Sequence, residues 1–156
     1  MKMITIVAAI SKNNVIGNNG MLPWDIPEEF NLFLSIIDGG TIIVGRKTWN
    51  SIKSPDFTRK KYIVVSKSLD KIENVSICKT FNEAITLAQS FNRDIHVCGG
   101  VDIYKEAFKV ADTLIISYIK KSYDGDTYFP KFNKDDWKIE KTKEYDEFNF
   151  VIYKKK

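Results

Sequence analysis

Cysteine and histidine are scarce in this chain of 156 residues, which has two cysteines, Cys78 and Cys98, and one histidine, His96. Two isolated cysteines build no disulfide framework and carry no metal-site spacing. A single histidine excludes a multi-histidine metal centre, and His96 reads as a structural strand residue between Ile95 and Val97. No metal ion is expected. Proline is limited to four residues, and no linker, repeat or low-complexity tract divides the chain. Its length suits one domain, residues 1–156. No apolar run is long enough to span a membrane. The start, Met1-Lys2-Met3-Ile4-Thr5-Ile6-Val7, enters a strand pattern without the apolar core or cleavage site of a secretory signal, so a soluble cytoplasmic protein is the expectation. An excess of one charge is missing too. Lys and Arg number 24 against 20 Asp and Glu, a net +4. That is too little to argue for a nucleic-acid partner, but it favours a small anionic ligand. The last absence is the G-x-G-x-x-G fingerprint after the first strand, together with an acidic residue placed to hold a ribose 2′-hydroxyl.

What is present is an ordinary globular balance, 44% hydrophobic and 28% charged, sufficient for a core. Continuous apolar runs at residues 4–10, 41–44, 62–66, 95–98 and 113–119 suit strands buried on both faces. Residues 75–78 make a shorter candidate. Helical segments are predicted over 27–38, 47–52, 82–91 and 102–110, the second short and weak. This alternation predicts an α/β fold with a mostly parallel central sheet flanked by helices. Residues 137–145 and 148–154 alternate around Asp146-Glu147 and predict a C-terminal antiparallel hairpin on one sheet edge.

Three segments carry chemistry. In Leu22-Pro23-Trp24-Asp25-Ile26-Pro27-Glu28-Glu29-Phe30, Pro27 suits the first helical position, and Phe30, Phe33, Leu34 and Ile37 recur at helical spacing. Glu28 reads as an acid favoured by the helix dipole. Glu29 falls on or beside the apolar stripe, where a charge is costly unless it meets a partner. Phe30, Phe33 and Ile52 would be core residues in any fold containing this helix, and Trp49 reads as core too. The second signal is glycine at two strand ends, Val44-Gly45-Arg46-Lys47-Thr48 and Cys98-Gly99-Gly100-Val101-Asp102. Glycine admits a ligand close to the backbone, and free N–H groups at a helix start bind phosphate oxygens. Basic residues at strand ends, Arg46 with Lys47 and Lys67 after Ser66, favour a phosphorylated ribose, hence NADP over NAD. The third signal is Arg59, whose fork can grip a carboxylate through paired hydrogen bonds.

Taken in order, the pieces resemble dihydrofolate reductases. They are Ile6-Val7-Ala8-Ala9, Val15-Ile16-Gly17, Leu22-Pro23-Trp24, Gly45-Arg46-Lys47-Thr48-Trp49-Asn50-Ser51-Ile52, Arg59-Lys60, Gly99-Gly100 with Tyr104, and Gly125-Asp126-Thr127-Tyr128-Phe129-Pro130. The resemblance implies reduction of 7,8-dihydrofolate to 5,6,7,8-tetrahydrofolate with NADPH, by a monomer. Glu29 would then hold the pterin and assist protonation of N5. Leu22 and Trp24 would stand beside it, Trp24 helping to order a water. Val7, Phe30, Phe33, Ser51, Ile52 and Cys98 would line the pterin and aminobenzoyl pocket, and Ser117 would orient the acid where the family usually has threonine. Arg59 would grip the α-carboxylate of the glutamate tail. Ala9, Ile16, Gly17, Asn18, Asn19, Gly20 and Met21 would meet the nicotinamide half of the cofactor. Gly45, Arg46, Lys47 and Thr48, with Gly99, Gly100, Val101, Asp102, Ile103 and Tyr104, would hold its phosphates and ribose. Ser66 and Lys67 would approach the adenosine 2′-phosphate. Departures stand at Asp102, where relatives carry a basic or neutral residue, at Val101 in place of a third glycine, and at Asp56-Phe57 near the aminobenzoyl group. Gly20-Met21 departs too, in the loop before Leu22. A riboflavin-pathway reductase on the same scaffold would share NADPH but has no need of Glu29 or Arg59. A non-catalytic nucleotide-binding module would keep only the glycine turns.

Overall fold

The computed structural model describes residues 1–156. Strand β1 (Ile4–Ile10) lies near the centre of an eight-stranded sheet. Around it run β3 (Thr41–Gly45), β4 (Lys61–Val65), β5 (Ser76–Cys78), β6 (Ile95–Val97) and β7 (Thr113–Ile119). The order is β5-β4-β3-β6-β1-β7, every neighbouring pair parallel, continued by β10 (Phe148–Lys155) and β9 (Trp137–Glu144), both antiparallel. This is the expected mostly parallel sheet with a C-terminal hairpin.

Strand alternation divides the core between two faces. Ile4, Ile6, Ala8, Ile43, Ile63, Val97, Leu114 and Ile116 point to one face, under α3 (Phe81–Ser90) and α4 (Val101–Phe108). Ile42, Val44, Tyr62 and Val64 point to the other, under α1 (Pro27–Ile37) and α2 (Arg46–Ser51). His96 lies on this second face as the alternation predicts, next to Gly40, where an added Cβ would fall 2.7 Å from His96 Nδ1. Burial lowers the pKa of His96, and its Nδ1 has no protein partner.

Two short strands were not expected. Strand β2 (Val15–Gly17) and strand β8 (Thr127–Tyr128) form a separate antiparallel pair. They carry the loop that leads to Leu22. A single 3₁₀ turn at Lys134–Asp136 precedes β9. No helix is long and apolar enough to cross a membrane.

Candidate active site

Helix α1 begins at Pro27 without a side-chain cap, as a proline at the first position allows. The next turn separates the acidic pair. Glu28 is exposed, whereas Glu29 keeps 7% of its surface exposed. Glu29 is the only acidic side chain among the buried residues. It faces the sheet surface that carries Ala9, Cys98 and Ser117. Ala9 and Ser117 are register partners on β1 and β7. Loss of water raises the Glu29 pKa above its usual value of 4.5, and hydrogen bonding by the Ser117 hydroxyl opposes the rise. The Glu29 charge in turn adds to the burial that pushes the Tyr104 phenol upward. Tyr104 Oη donates to the Val7 carbonyl at 2.9 Å, which ties α4 to β1 beneath the site. Burial pushes the Cys98 thiol to about 12, so it stays protonated and serves as a small apolar wall.

The apolar residues around Glu29 do not all join the core. Phe30 is 51% exposed and Leu22 52%, and Leu34 and Met21 are exposed as well. This corrects the reading of Phe30 as a core residue. The spacing identified the helix, but its apolar surface is shared. Leu32, Phe33, Ile36 and Ile37 pack on the sheet, while Phe30 stacks only against Phe33, centroids 6.5 Å apart. Exposed apolar side chains on the same helix as a buried carboxylate, and on the loop before it, suit a ligand pocket. Trp24 is buried against Tyr123 at 5.4 Å, and its indole N–H has no protein acceptor, so it is a donor available to a ligand or water. Trp49 and Ile52 are half-buried and pack with Phe33 beside Tyr62, the outcome expected for core residues. Ser51 stays exposed, its hydroxyl donating to the Thr48 carbonyl.

The two glycine turns, separate in the chain, meet in space. The Gly45 amide donates to the Gly99 carbonyl at 2.8 Å because β3 and β6 are neighbours. A Cβ on Gly45 would come within 3.3 Å of Ile103. One on Gly99 would lie 3.4 Å from both Thr48 Oγ1 and the Tyr104 ring, and Gly99 has φ +115°, outside the range of most side chains. The peptide Gly99–Gly100 is cis. Helix α4 begins at Val101 after the N-cap residue Gly100, with no side-chain cap, so its first N–H groups are free for another acceptor. Exposed Arg46 and Lys47 follow Gly45, and Arg46 reaches Ser68 at 3.4 Å. Ser66 Oγ accepts from the amides of Ser68 and Leu69, forming the turn that displays Lys67. Open glycine backbone, uncapped helix starts and clustered cations fit a phosphorylated dinucleotide. Asp102 is exposed in the first turn of α4.

On the loop before Leu22, the Asn19 amide donates to Asp126 Oδ2 at 3.1 Å and the Asp126 amide to the Gly17 carbonyl at 3.1 Å. Asn18 and Met21 form a bridge around Gly20, whose φ is +79°. Asp126 and its β8 neighbour Thr127 therefore fasten this loop, a function the sequence reading did not assign to them. Gly125-Asp126-Thr127 stood out in the sequence only as part of the resemblance; a Cβ on Gly125 would fall 2.6 Å from the Gly17 carbonyl oxygen, so glycine is what lets this segment approach β2.

Arg59 stands apart from Glu29, beyond the far end of α1. Its Nε donates to Asp38 Oδ1 at 2.7 Å and its Nη2 to Asp38 Oδ2 at 2.5 Å. Sequence reasoning gave Arg59 a ligand carboxylate and no partner within the protein, because nothing in local spacing links it to Asp38. Asp56, a departure noted above, bonds within its own loop. Its Oδ1 accepts from the Thr58 amide and hydroxyl, so it shapes the loop before Arg59.

The fold and site together define an α/β oxidoreductase in which a glycine-turn cradle lies beside an apolar pocket holding one buried acid. The chain belongs to the dihydrofolate reductase family, whose sequence profile, described as Dihydrofolate reductase, matches residues 3–155. It is 39% identical to the dihydrofolate reductase of Buchnera aphidicola subsp. Acyrthosiphon pisum, over 83% of this chain and 80% of that one. Identity to the Haemophilus influenzae dihydrofolate reductase is 34%, over 87% and 84% of the two chains. For the Bacillus subtilis enzyme it is 30%, over 99% and 95%.

Proposed function

We propose that this chain reduces 7,8-dihydrofolate to 5,6,7,8-tetrahydrofolate with NADPH, as a cytoplasmic monomer of one domain with no nucleic-acid partner. The observation that carries the reading is Glu29, a buried acid at the foot of an exposed apolar wall. A pterin presents an amino group and a ring N–H side by side, and one carboxylate can accept from both. Ser117, Trp24 and Leu22 stand around that carboxylate, and Phe30, Phe33, Ile52, Val7 and Cys98 supply apolar walls. Ser51 edges the aminobenzoyl end. Arg59 receives the α-carboxylate of the tail.

When bound, NADPH supplies the hydride that adds to the carbon adjacent to N5. The glycine cradle of Gly45 to Thr48 and Gly99 to Tyr104 holds its phosphates, Ser66 and Lys67 the 2′-phosphate, and Ala9 with Ile16 to Met21 the nicotinamide half. Reduction of the carbon–nitrogen double bond also needs a proton at N5. The raised pKa of Glu29 keeps part of the population protonated nearer neutrality than an exposed glutamate would be. Assistance passes through a water, ordered by the free indole N–H of Trp24.

The test is oxidation of NADPH by dihydrofolate, wild type against Glu29→Ala. Loss of a positioned acid–base group lowers turnover by about 10²- to 10⁴-fold. A wild type without activity, or an unimpaired variant, overturns the reading.

A further inference from the structure

Asp38 is the residue at the C-terminal end of α1 that no part of the proposed chemistry uses. An acid there is unfavourable on its own account, since the helix dipole presents its negative end, and α1 has no basic residue in its last turn. The carboxylate is instead held by Arg59. Gly39 (φ +75°) reverses the chain directly after Asp38, the Gly40 amide closes on the Ile37 carbonyl, and the Gly40 carbonyl accepts from Lys61. Asp38 and the segment carrying Arg59 are therefore fixed to each other by backbone as well as by charge. Arg93 Nη1 donates to the Arg59 carbonyl at 3.0 Å, holding the base of the same side chain.

The geometry of the pair matters more than its existence. Asp38 takes the edge formed by Nε and Nη2. A guanidinium has five N–H donors. The edge formed by Nη1 and Nη2 keeps its full set of hydrogens for a second carboxylate. Asp38 therefore does not fill the fork that a ligand would use. It fixes the plane of the guanidinium about the long, freely rotating side chain of an exposed arginine, at a distance from Glu29 set by α1. Nine residues of helix rise separate the two acids by about 13 Å.

We infer that Asp38 is a positioning residue for recognition of a ligand's terminal carboxylate, orienting Arg59 so that its outer edge receives that group. This rests on the dihydrofolate reading above. The neighbouring charges agree with it. The hydrogen bond and charge of Arg59, with a smaller contribution from Lys60, hold the Asp38 carboxyl below its usual range, so it stays an acceptor into more acid conditions than an ordinary aspartate. The charge of Asp56 adds to the field that favours the Arg59 cation.

The test compares two ligands, folate and pteroate, the second lacking the glutamate tail. Their dissociation constants are measured on wild type, Asp38→Ala and Asp38→Asn, each alone and with Arg59→Ala. Asp38→Ala should weaken folate about three- to fivefold, the scale of an exposed ion pair. Pteroate affinity should not change, and turnover at saturating dihydrofolate should stay within about twofold, since Asp38 touches no reacting atom. Asp38→Asn, which keeps one acceptor oxygen, should fall between. In the Arg59→Ala background the Asp38 substitutions should have no effect on folate. Tighter folate binding would make Asp38 a competitor of the ligand and overturns the inference, as do equal losses for both ligands or no change. Failure of the underlying reading looks different, because a wild type that binds neither ligand removes both proposals. A wild type that prefers folate, with a variant that prefers it equally, removes only the role of Asp38.

Discussion

Helix α1 carries a carboxylate near each end, and the two live under opposite conditions. Glu29, in the first turn, lies at the end that the helix dipole favours for an anion, yet it is enclosed by apolar side chains and its pKa rises. Asp38, at the last turn, has the wrong sign for its end of the helix, yet it is open to water, bonded to Arg59, and its pKa falls. Burial outweighs the dipole at one end, and a bidentate cation outweighs it at the other. A carboxylate that lacks a cation within the protein has unspent hydrogen-bonding capacity, which is what a binding site for a neutral, donor-rich ring requires. A satisfied carboxylate can only organise its neighbour.

The sharpest way to break this contrast is Glu29→Gln. Turnover should fall by about 10²- to 10⁴-fold in steady-state kinetics, while denaturant melts at neutral pH show a gain on the order of 1 kcal/mol, because a desolvated charge has been removed. A variant that loses activity and stability together would mean that Glu29 supports the fold. Arg59→Ala comes next. The Michaelis constant for dihydrofolate should rise about tenfold with turnover little changed, since the tail contact is made equally in ground and transition states. NADPH affinity should hold. Equal changes in both constants would remove Arg59 from the tail site.

The smallest effect is the pH dependence of stability. Glu29, with a raised folded pKa, stabilises the fold most below its ordinary value of 4.5 and loses that contribution as pH rises through the raised value. Asp38, with a lowered folded pKa, contributes above its ordinary value of 3.8 and loses the contribution as pH falls through the lowered one. Urea melts across that range should show the stability advantage of Glu29→Gln growing with pH and the deficit of Asp38→Asn shrinking in acid. The same sign for both would erase the distinction between the two ends. Hydride transfer in single-turnover experiments should likewise decline as pH rises past the Glu29 pKa.

How much of this was legible in the sequence varies with the range of the interactions involved. The inner strands announced themselves because both faces are buried, so each is a continuous apolar run such as Ile42-Ile43-Val44. Strands β2 and β8 have three and two residues, too few for any pattern, and exist only because distant segments pair. The helical repeat in α1 was readable, but not which half of its apolar surface stays uncovered. Phe30 and Phe33 look alike in sequence and differ only in what the sheet presents to them. Gly45 and Gly99 were readable as turns, whereas their contact depends on β3 and β6 being neighbours. The charge of Arg59 was evident, and its partner Asp38 was not, because an ion pair between loops follows from the fold.

Strand β1 is synthesised first and is completed last. It lies between β6 and β7, with Ile4 opposite Ile95 and Thr5 opposite Thr113. Until both later strands have formed, the first strand has open edges on two sides and Ala9 has no Ser117 across from it. Such distant parallel pairings slow folding and leave apolar edges exposed meanwhile. A nascent chain on the ribosome can thus hold helix α1 with its acid already in place, and still have no pocket for that acid to serve.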